Sequence, residues 1–249
     1  MSNQSNIDLD APATTMAHGE IILKKPFLKK LYIEWYQQFS ELAKTLPEGK
    51  LLEIGSGGGF IKEINPNVLT TDILELPNVD IVMSAEDIPL EDNSVSGIFM
   101  INVLHHIKNS DAFLKEAQRV LKKGGKIFMV EPANTLWSRF FYRNFHHEGF
   151  DPSEKEWKVE GEGPLSDANG AIPWIIFKRD LHKFQQKYPD LVLEKRKDHT
   201  PMRYTLTGGL SFPSVVPGWS FKIVTFLENV FSFLFRYFGM FQTIIVKKK

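Results

Sequence analysis

Residues 51–59 read Leu51-Leu52-Glu53-Ile54-Gly55-Ser56-Gly57-Gly58-Gly59. A hydrophobic pair, an acid and glycines at alternate positions predict a buried strand that turns sharply into a helix. Glycine suits such a turn because the chain bends tightly and a ligand must approach the backbone with no Cβ in the way. Two phosphate-cradling turns share this appearance. A dinucleotide fingerprint carries Gly or Ala three residues after its second glycine, where this chain has Phe60. A phosphate loop places Lys and then Ser or Thr after its last glycine, where this chain has Phe60 and Ile61.

Downstream landmarks narrow the reading. Val68-Leu69-Thr70-Thr71-Asp72 is a β-branched run that ends in an acid 17 positions after Gly55. A carboxylate near that distance can accept hydrogen bonds from both hydroxyls of a ribose. Ser84-Ala85-Glu86-Asp87-Ile88-Pro89 precedes the strand Gly97–Ile101 and Asn102-Val103-Leu104-His105-His106. A Gly124-Gly125 turn then leads into Ile127–Glu131.

The run from Glu53 to Gly59 resembles the first motif of the class I methyltransferase family, acid-x-Gly-x-Gly-x-Gly, whose members use S-adenosylmethionine (SAM). The later segments resemble that family's small-molecule and lipid-type branch, in the same order over residues 51–132. The resemblance implies that the loop backbone at Gly55, Ser56, Gly57 and Gly59 lies along the methionine and ribose of SAM. It implies that Glu53 holds the methionine portion and that Asp72, with Ile73 beside it, holds the ribose. Ser84, Ala85 and Glu86 would face adenine, and Asn102 would complete the cofactor site. Ser84 departs from the family, which usually has Asp there to accept from the adenine amino group. A serine oxygen accepts too, but carries no charge. Ser96 likewise stands where Asp is common.

The expected fold is α/β, a Rossmann-like, seven-stranded, mostly parallel sheet with helices on both faces and a reversed last strand. A helix over 26–46 places Phe27, Leu31, Trp35, Phe39 and Leu42 on one stripe. Strands are expected near 50–54, 68–72, 79–83, 97–101, 126–131, 191–196 and 242–247, and helices at 110–122 and 174–188. The connection from Asp72 to Val79 is too short for a helix. Residues 1–20 are polar and are expected to form a flexible tail. Residues 21–249 then form one domain with core 48–132 and substrate-side insertions at 132–173 and 198–240.

Composition excludes some chemistry. The chain has no cysteine, so disulfides, thiolate metal sites and a cysteine nucleophile are ruled out. Formal net charge is zero, yet residues 191–249 hold nine Lys or Arg against three acids, leaving 21 against 27 elsewhere. A basic end points to an anionic partner. Nucleic acid is disfavoured, because the basic residues fall in short clusters without a groove of interleaved aromatics. A cytoplasmic location is expected, with contact at the membrane surface as its variant.

Both insertions carry candidates for specificity, since loops on a rigid sheet usually supply it. In the first, His146 or His147 could serve as a general base, as could His105 or His106. His106 and His147 are the candidates carried forward, with partly buried packing as the alternative for each. No metal site is expected: adjacent histidines such as His146 and His147, even beside Glu148, point in different directions on a helix or strand.

The second insertion places seven of the chain's twenty phenylalanines between Phe221 and Phe241. Lys222, Thr225, Asn229, Ser232 and Arg236, with Glu228, form one narrow polar stripe. From Phe221 onward the longest uncharged stretch, Tyr237–Val246, is too short to span a bilayer. The helix at 220–238 is therefore a buried structural element, the wall of a lipophilic pocket, or a membrane-surface contact.

The resemblance implies methyl transfer to a small-molecule or lipid-like acceptor, with oxygen as the expected acceptor atom. Two alternatives remain open on the sequence: a SAM-fold module without catalysis, and a nicotinamide-dependent oxidoreductase.

Overall fold

The computed structural model describes residues 8–145, 148–161, 163 and 165–249. Two helices, α1 (Pro12–Lys24) and α2 (Pro26–Ala43), precede strands β1 (Lys50–Ile54), β2 (Val68–Asp72), β3 (Ile81–Val82) and β4 (Val95–Ile101). Helix α3 (Ser110–Val120), β5 (Leu121–Pro132) and α4 (Leu136–Phe145) follow. The helical stretch α5 (Ile172–Trp174), continued by a π turn at Ile175–Arg179, and α6 (Leu181–Lys187) lead to β6 (Leu191–His199). The chain then forms α7 (Arg203–Leu206), α8 (Phe221–Val230), α9 (Phe235–Phe238) and β7 (Phe241–Lys248).

The seven strands form one sheet in the order β3-β2-β1-β4-β5-β7-β6. The first five are parallel, and β7 runs antiparallel to both β5 and β6. The order reverses between β1 and β4, so the carboxyl ends of these strands form the crevice where open α/β sheets bind ligands.

Each face of the sheet has its own core. In β4, Ile98 and Met100 point to the side covered by Phe113, Leu114 and Phe184, whereas Phe99 points to α2. This is the period-two alternation of a strand buried on both faces. On the α2 side, Phe39 stacks on Phe99 with ring centroids 4.5 Å apart, and Trp35 and Tyr36 are almost wholly buried. The stripe predicted for α2 therefore does pack on the sheet.

Three local expectations differ from the structure. The strand–loop run was expected to enter a helix, but Ile61–Glu63 forms one 3-10 turn before β2. Only Phe60–Asn67 bridge loop and strand, and Pro66 disfavours helix at Asn65. Residues 12–20 of the expected tail are helical. Helix α1 buries Thr15, Gly19 and Ile22, and Gly19 packs so tightly on Gly58 that a Cβ at Gly19 would lie 2.5 Å from the Gly58 carbonyl oxygen.

The third difference lies at 220–238. The expected single helix is broken into α8, a 3-10 turn at Ser232–Leu234, and α9. The buried reading fails for most of its girth: Trp219 is 73% exposed, Phe226 67% and Phe233 68%. Of the polar stripe only Glu228 is buried, with Thr225 half-buried, while Lys222, Asn229, Ser232 and Arg236 are exposed. Glu228 is 2% exposed and accepts from the backbone N–H groups of Met202 and Arg203, both at 2.7 Å. The Arg203 guanidinium joins Glu228 to Glu34 of α2. Charge pairing at Glu228 thus anchors α8 to the protein, while Ile223, Phe226, Leu227 and Val230 are left exposed. No described helix is long and apolar enough to cross a membrane.

Candidate functional site

The glycine loop leaves β1 with Gly55 at φ +67°, where a Cβ would lie 2.5 Å from Val103 Cγ2. A side chain there would be both strained and blocked. Backbone bonds tie the loop to β2: the Ser56 N–H donates to the Thr71 carbonyl at 2.9 Å, and the Gly57 N–H donates to Asp72 Oδ2 at 2.8 Å. Asp72 Oδ1 accepts from the Leu74 N–H at 3.0 Å. Each Asp72 oxygen keeps a further lone pair for a ligand hydroxyl.

Two adjoining cavities, of about 240 and 270 Å³, meet at this loop and share Thr15, Gly55, Gly57, Asn102, His106 and Leu165. Asp72, Ile73, Ser84, Ala85 and Glu86 line one; Glu53, Ser56 and Gly59 line the other. Every described residue named from sequence as a cofactor contact therefore borders one of the two spaces. Ser84 Oγ is already turned inward, accepting from the Glu86 N–H at 3.1 Å, and Glu86 Oε1 accepts from the Asn109 N–H at 2.8 Å.

Three polar atoms at this junction are buried without a hydrogen-bond partner, Thr15 Oγ1, Glu53 Oε2 and Asn102 Oδ1. Asn102 also holds a left-handed backbone at φ +55°. Buried polar atoms are normally satisfied, and strain that persists beside a cleft points to a function. Burial, reinforced by the nearby Asp72 charge, pushes the Glu53 carboxyl up to about 8 against the hydrogen bond from Ser56. A cationic group entering the cavity would restore the carboxylate. Space, strain and an unpartnered acid together fit a ligand with hydroxyls at one end and a positive charge at the other.

On the far side of the second cavity, Val103 leads into a 3-10 turn, Leu104–His106. Glu131, at the end of β5 and fully buried, accepts from the backbone N–H groups of Val103 at 2.9 Å and Leu104 at 2.7 Å through Oε1. Its Oε2 lies 2.6 Å from His105 Nδ1. Glu148, brought in by the first insertion, sits 3.3 Å from His105 Nε2 and 3.6 Å from His106 Nε2. Burial disfavours an imidazolium at His105, but Glu131 and then Glu148 outweigh it and raise its pKa to about 10. Burial opposes charge on Glu148 as well, yet the two histidines hold it well below the usual carboxylate range. The end of the same insertion closes over the turn: the Asn169 N–H donates to the His105 carbonyl, and the Asp167 carbonyl faces His106 Nδ1 at 3.2 Å.

The sequence signal pointed to His105 and His106 but missed Glu131, which holds His105, and Glu148, which faces both. They lie 26 and 43 positions from His105 along the chain, and only the sheet and the insertion bring them together. His146 and His147 lie outside the described residues. Sequence reading also missed α1, whose Thr15, His18, Gly19 and Ile22 roof the second cavity.

Residues 52–129 match a family model for a methyltransferase domain. The match covers the glycine loop, Asp72, the Ser84 segment and His105-His106. An uncharacterized protein of Methanocaldococcus jannaschii is 30% identical over 105 residues, 39% of this chain and 51% of that protein. The ubiquinone/menaquinone biosynthesis C-methyltransferase UbiE of Chromobacterium violaceum is 32% identical over 92 residues, 34% of this chain and 38% of the enzyme. The chain thus spans about half or less of the length of these relatives. Among solved structures, the Haemonchus contortus phosphoethanolamine N-methyltransferase 2 aligns over 98% of this chain and 59% of its own, with 13% identity and a TM-score of 0.52. That likeness is one of fold. The insertions at 132–173 and 198–240 lie almost wholly beyond the matched domain.

Proposed function

We propose that this chain is a SAM-dependent methyltransferase that acts on a small lipophilic acceptor reached from a membrane surface. The observation that carries the cofactor assignment is the loop junction. Two hydroxyls meet Asp72, the sulfonium-bearing methionine end meets the unpartnered Glu53 and Asn102, and adenine lies against Ile73 and the Ser84–Glu86 segment. The methyltransferase-domain match over these residues supports it.

Methyl transfer is an in-line displacement, and SAM supplies the activated methyl. The protein's share is alignment and exclusion of water, an effect that reaches roughly 7–11 kcal/mol in favourable systems. Helix α1 roofs the loop, and Tyr32, Phe141, Tyr142 and Tyr204 wall the adjoining space. An oxygen acceptor must also lose a proton. His106 borders both cavities, with Glu148 beside it to stabilise the charge that forms. This arrangement favours a hydroxyl or phenol over an acceptor that needs no base.

The lipophilic assignment rests on the apolar outer surface. Phe145 and Phe212 both line the cavity and stay more than half exposed, at 54% and 52%. Along α8, α9 and the turn before them, Trp219, Phe226 and Phe233 are also exposed, as are the cations Lys222 and Arg236. Leaving such side chains in water forgoes roughly 1.5–3 kcal/mol each. A bilayer interface rich in anionic lipid would recover much of that while placing its solutes at the cavity mouth.

Calorimetric titration with S-adenosylhomocysteine, with NADH as control, tests the cofactor. Binding of the first alone is expected, and NADH binding would move the chain to the oxidoreductases. Methyl transfer from labelled SAM into a lipid extract and into quinol-like phenols then tests catalysis. Cofactor binding with no labelled product from either would favour a non-catalytic module.

A further inference from the structure

We propose that His105, His106 and Glu148 form a binding site for a divalent transition-metal ion of the zinc class. The three ligand atoms, two imidazole Nε2 and a carboxylate oxygen, lie within 4.8 Å of one another. The His105 Nε2–Glu148 Oε2 separation is 3.3 Å and the His106 Nε2–Glu148 Oε1 separation is 3.6 Å. A tetrahedral zinc ion with ligand bonds of 2.0–2.1 Å has ligand–ligand edges of about 3.3–3.4 Å. The spacing therefore needs only small side-chain adjustments to receive an ion.

The outer contacts of both histidines are those of metal ligands. His105 Nδ1 faces Glu131 Oε2 at 2.6 Å, and His106 Nδ1 faces the Asp167 carbonyl at 3.2 Å. Both Nδ1 partners are acceptors, so each ring keeps its Nδ1 proton when an ion displaces the one on Nε2, and the freed Nε2 lone pair points to the space beside Glu148. A carboxylate or a backbone carbonyl in that place commonly fixes ring orientation and raises ligand basicity. Glu131 is itself locked by two backbone N–H groups.

Adjacent histidines usually diverge on a helix or strand. Here the 3-10 turn draws the two rings to 4.3 Å between centroids, 40° apart in plane. Imidazole nitrogens with one carboxylate suit zinc-class ions better than magnesium or calcium, which prefer all-oxygen shells. All three residues line the cavity, so a fourth position would open toward it. An ion there would take the His106 lone pair out of proton transfer and leave acidification of a bound oxygen to the metal. The site rests on these distances alone and stands whether or not SAM is the cofactor.

The test uses the full chain, stripped by chelator, desalted and titrated with Co2+ as a spectroscopic probe. The expected result is one Co2+ per chain with visible absorption of a four- or five-coordinate ion, displaced by one equivalent of Zn2+. His106→Ala and Glu148→Gln should each weaken Co2+ affinity at least tenfold, while His182→Ala, on an exposed part of α6, should not. Circular dichroism melting checks that each variant is folded. If one is not, the wild-type spectrum and stoichiometry decide. Absence of saturable Co2+ binding by the wild type overturns the site, as does unchanged affinity in both folded variants.

Discussion

The glycine-loop half of the molecule and its second insertion bury their side chains by different rules. Over β1 to β5 the apolar residues face inward, and the polar atoms at strand ends converge on a crevice. In the 198–240 insertion an ion pair, Arg203 with Glu228, is buried, while Phe212, Phe226, Phe231, Phe233 and Phe238 stay exposed. The first arrangement stabilises a fold and leaves a few unsatisfied groups where a ligand can pair with them. The second leaves apolar surface unsatisfied and so implies contact with something apolar. Both halves are incomplete in water, one for a charged cofactor and the other for a greasy phase.

The sharpest way to break the first half is at the loop. Gly57 holds φ +49°, and a Cβ there would lie 3.4 Å from Thr15 Cγ2, under the roof of α1. Gly57→Val should lower S-adenosylhomocysteine affinity about a thousandfold, on the order of 4 kcal/mol, with the melting cooperativity of a folded chain. Calorimetry showing wild-type affinity would remove the loop from the site.

A second effect comes from Glu53. Burial pushes its carboxyl up to about 8 in the folded chain, well above the ordinary glutamate value. As pH rises from about 4.5 to about 8, the unfolded chain loses this proton while the folded chain keeps it. Stability falls across that window and levels off above it, by a total on the order of 5 kcal/mol. Urea unfolding at pH 5 and pH 8 should show a larger loss for the wild type than for Glu53→Gln, which removes this group from the titration. Equal losses would mean that Glu53 is not held neutral, and the case for a cationic ligand beside it would weaken.

This contrast also explains what could be read in the sequence. The strands and the glycine turn were legible because local pattern and tertiary role agree there: β4 alternates, and Gly55 needs its positive φ. All seven expected strands are present, with only their ends displaced. Glu131 and Glu148 were not legible as partners of His105, because a 3-10 turn and a loop closure set their distances, and neither leaves a periodic signal. Helix α8 was misleading for another reason. Periodicity locates a polar stripe but does not say which side faces the protein, and the Glu34–Arg203–Glu228 triad decided that from three separate segments.

Asp72→Ala measures a smaller term. The carboxylate already accepts from Gly57 and Leu74, so its removal loosens the loop as well as the ribose contact. Cofactor affinity should fall by roughly 1–3 kcal/mol, the usual cost of losing hydrogen bonds to a charged group. A ribose-free probe such as methionine should lose much less. Equal losses for both probes would assign Asp72 to loop support alone.

The smallest expected effect tests whether the two halves are independent. Phe226→Ala removes one outward ring, 67% exposed, and should disturb little of the folded chain. Sedimentation with vesicles containing phosphatidylglycerol should show about tenfold weaker association, close to 1.4 kcal/mol for part of one aromatic side chain withdrawn from an interface. Affinity for S-adenosylhomocysteine should not change, since no ring of α8 lines either cavity. Unchanged vesicle binding would assign the outward face to a protein partner instead of a bilayer. A change in cofactor affinity would mean that α8 acts on the loop through Arg203 and α2, and that the surface and the crevice work as one unit.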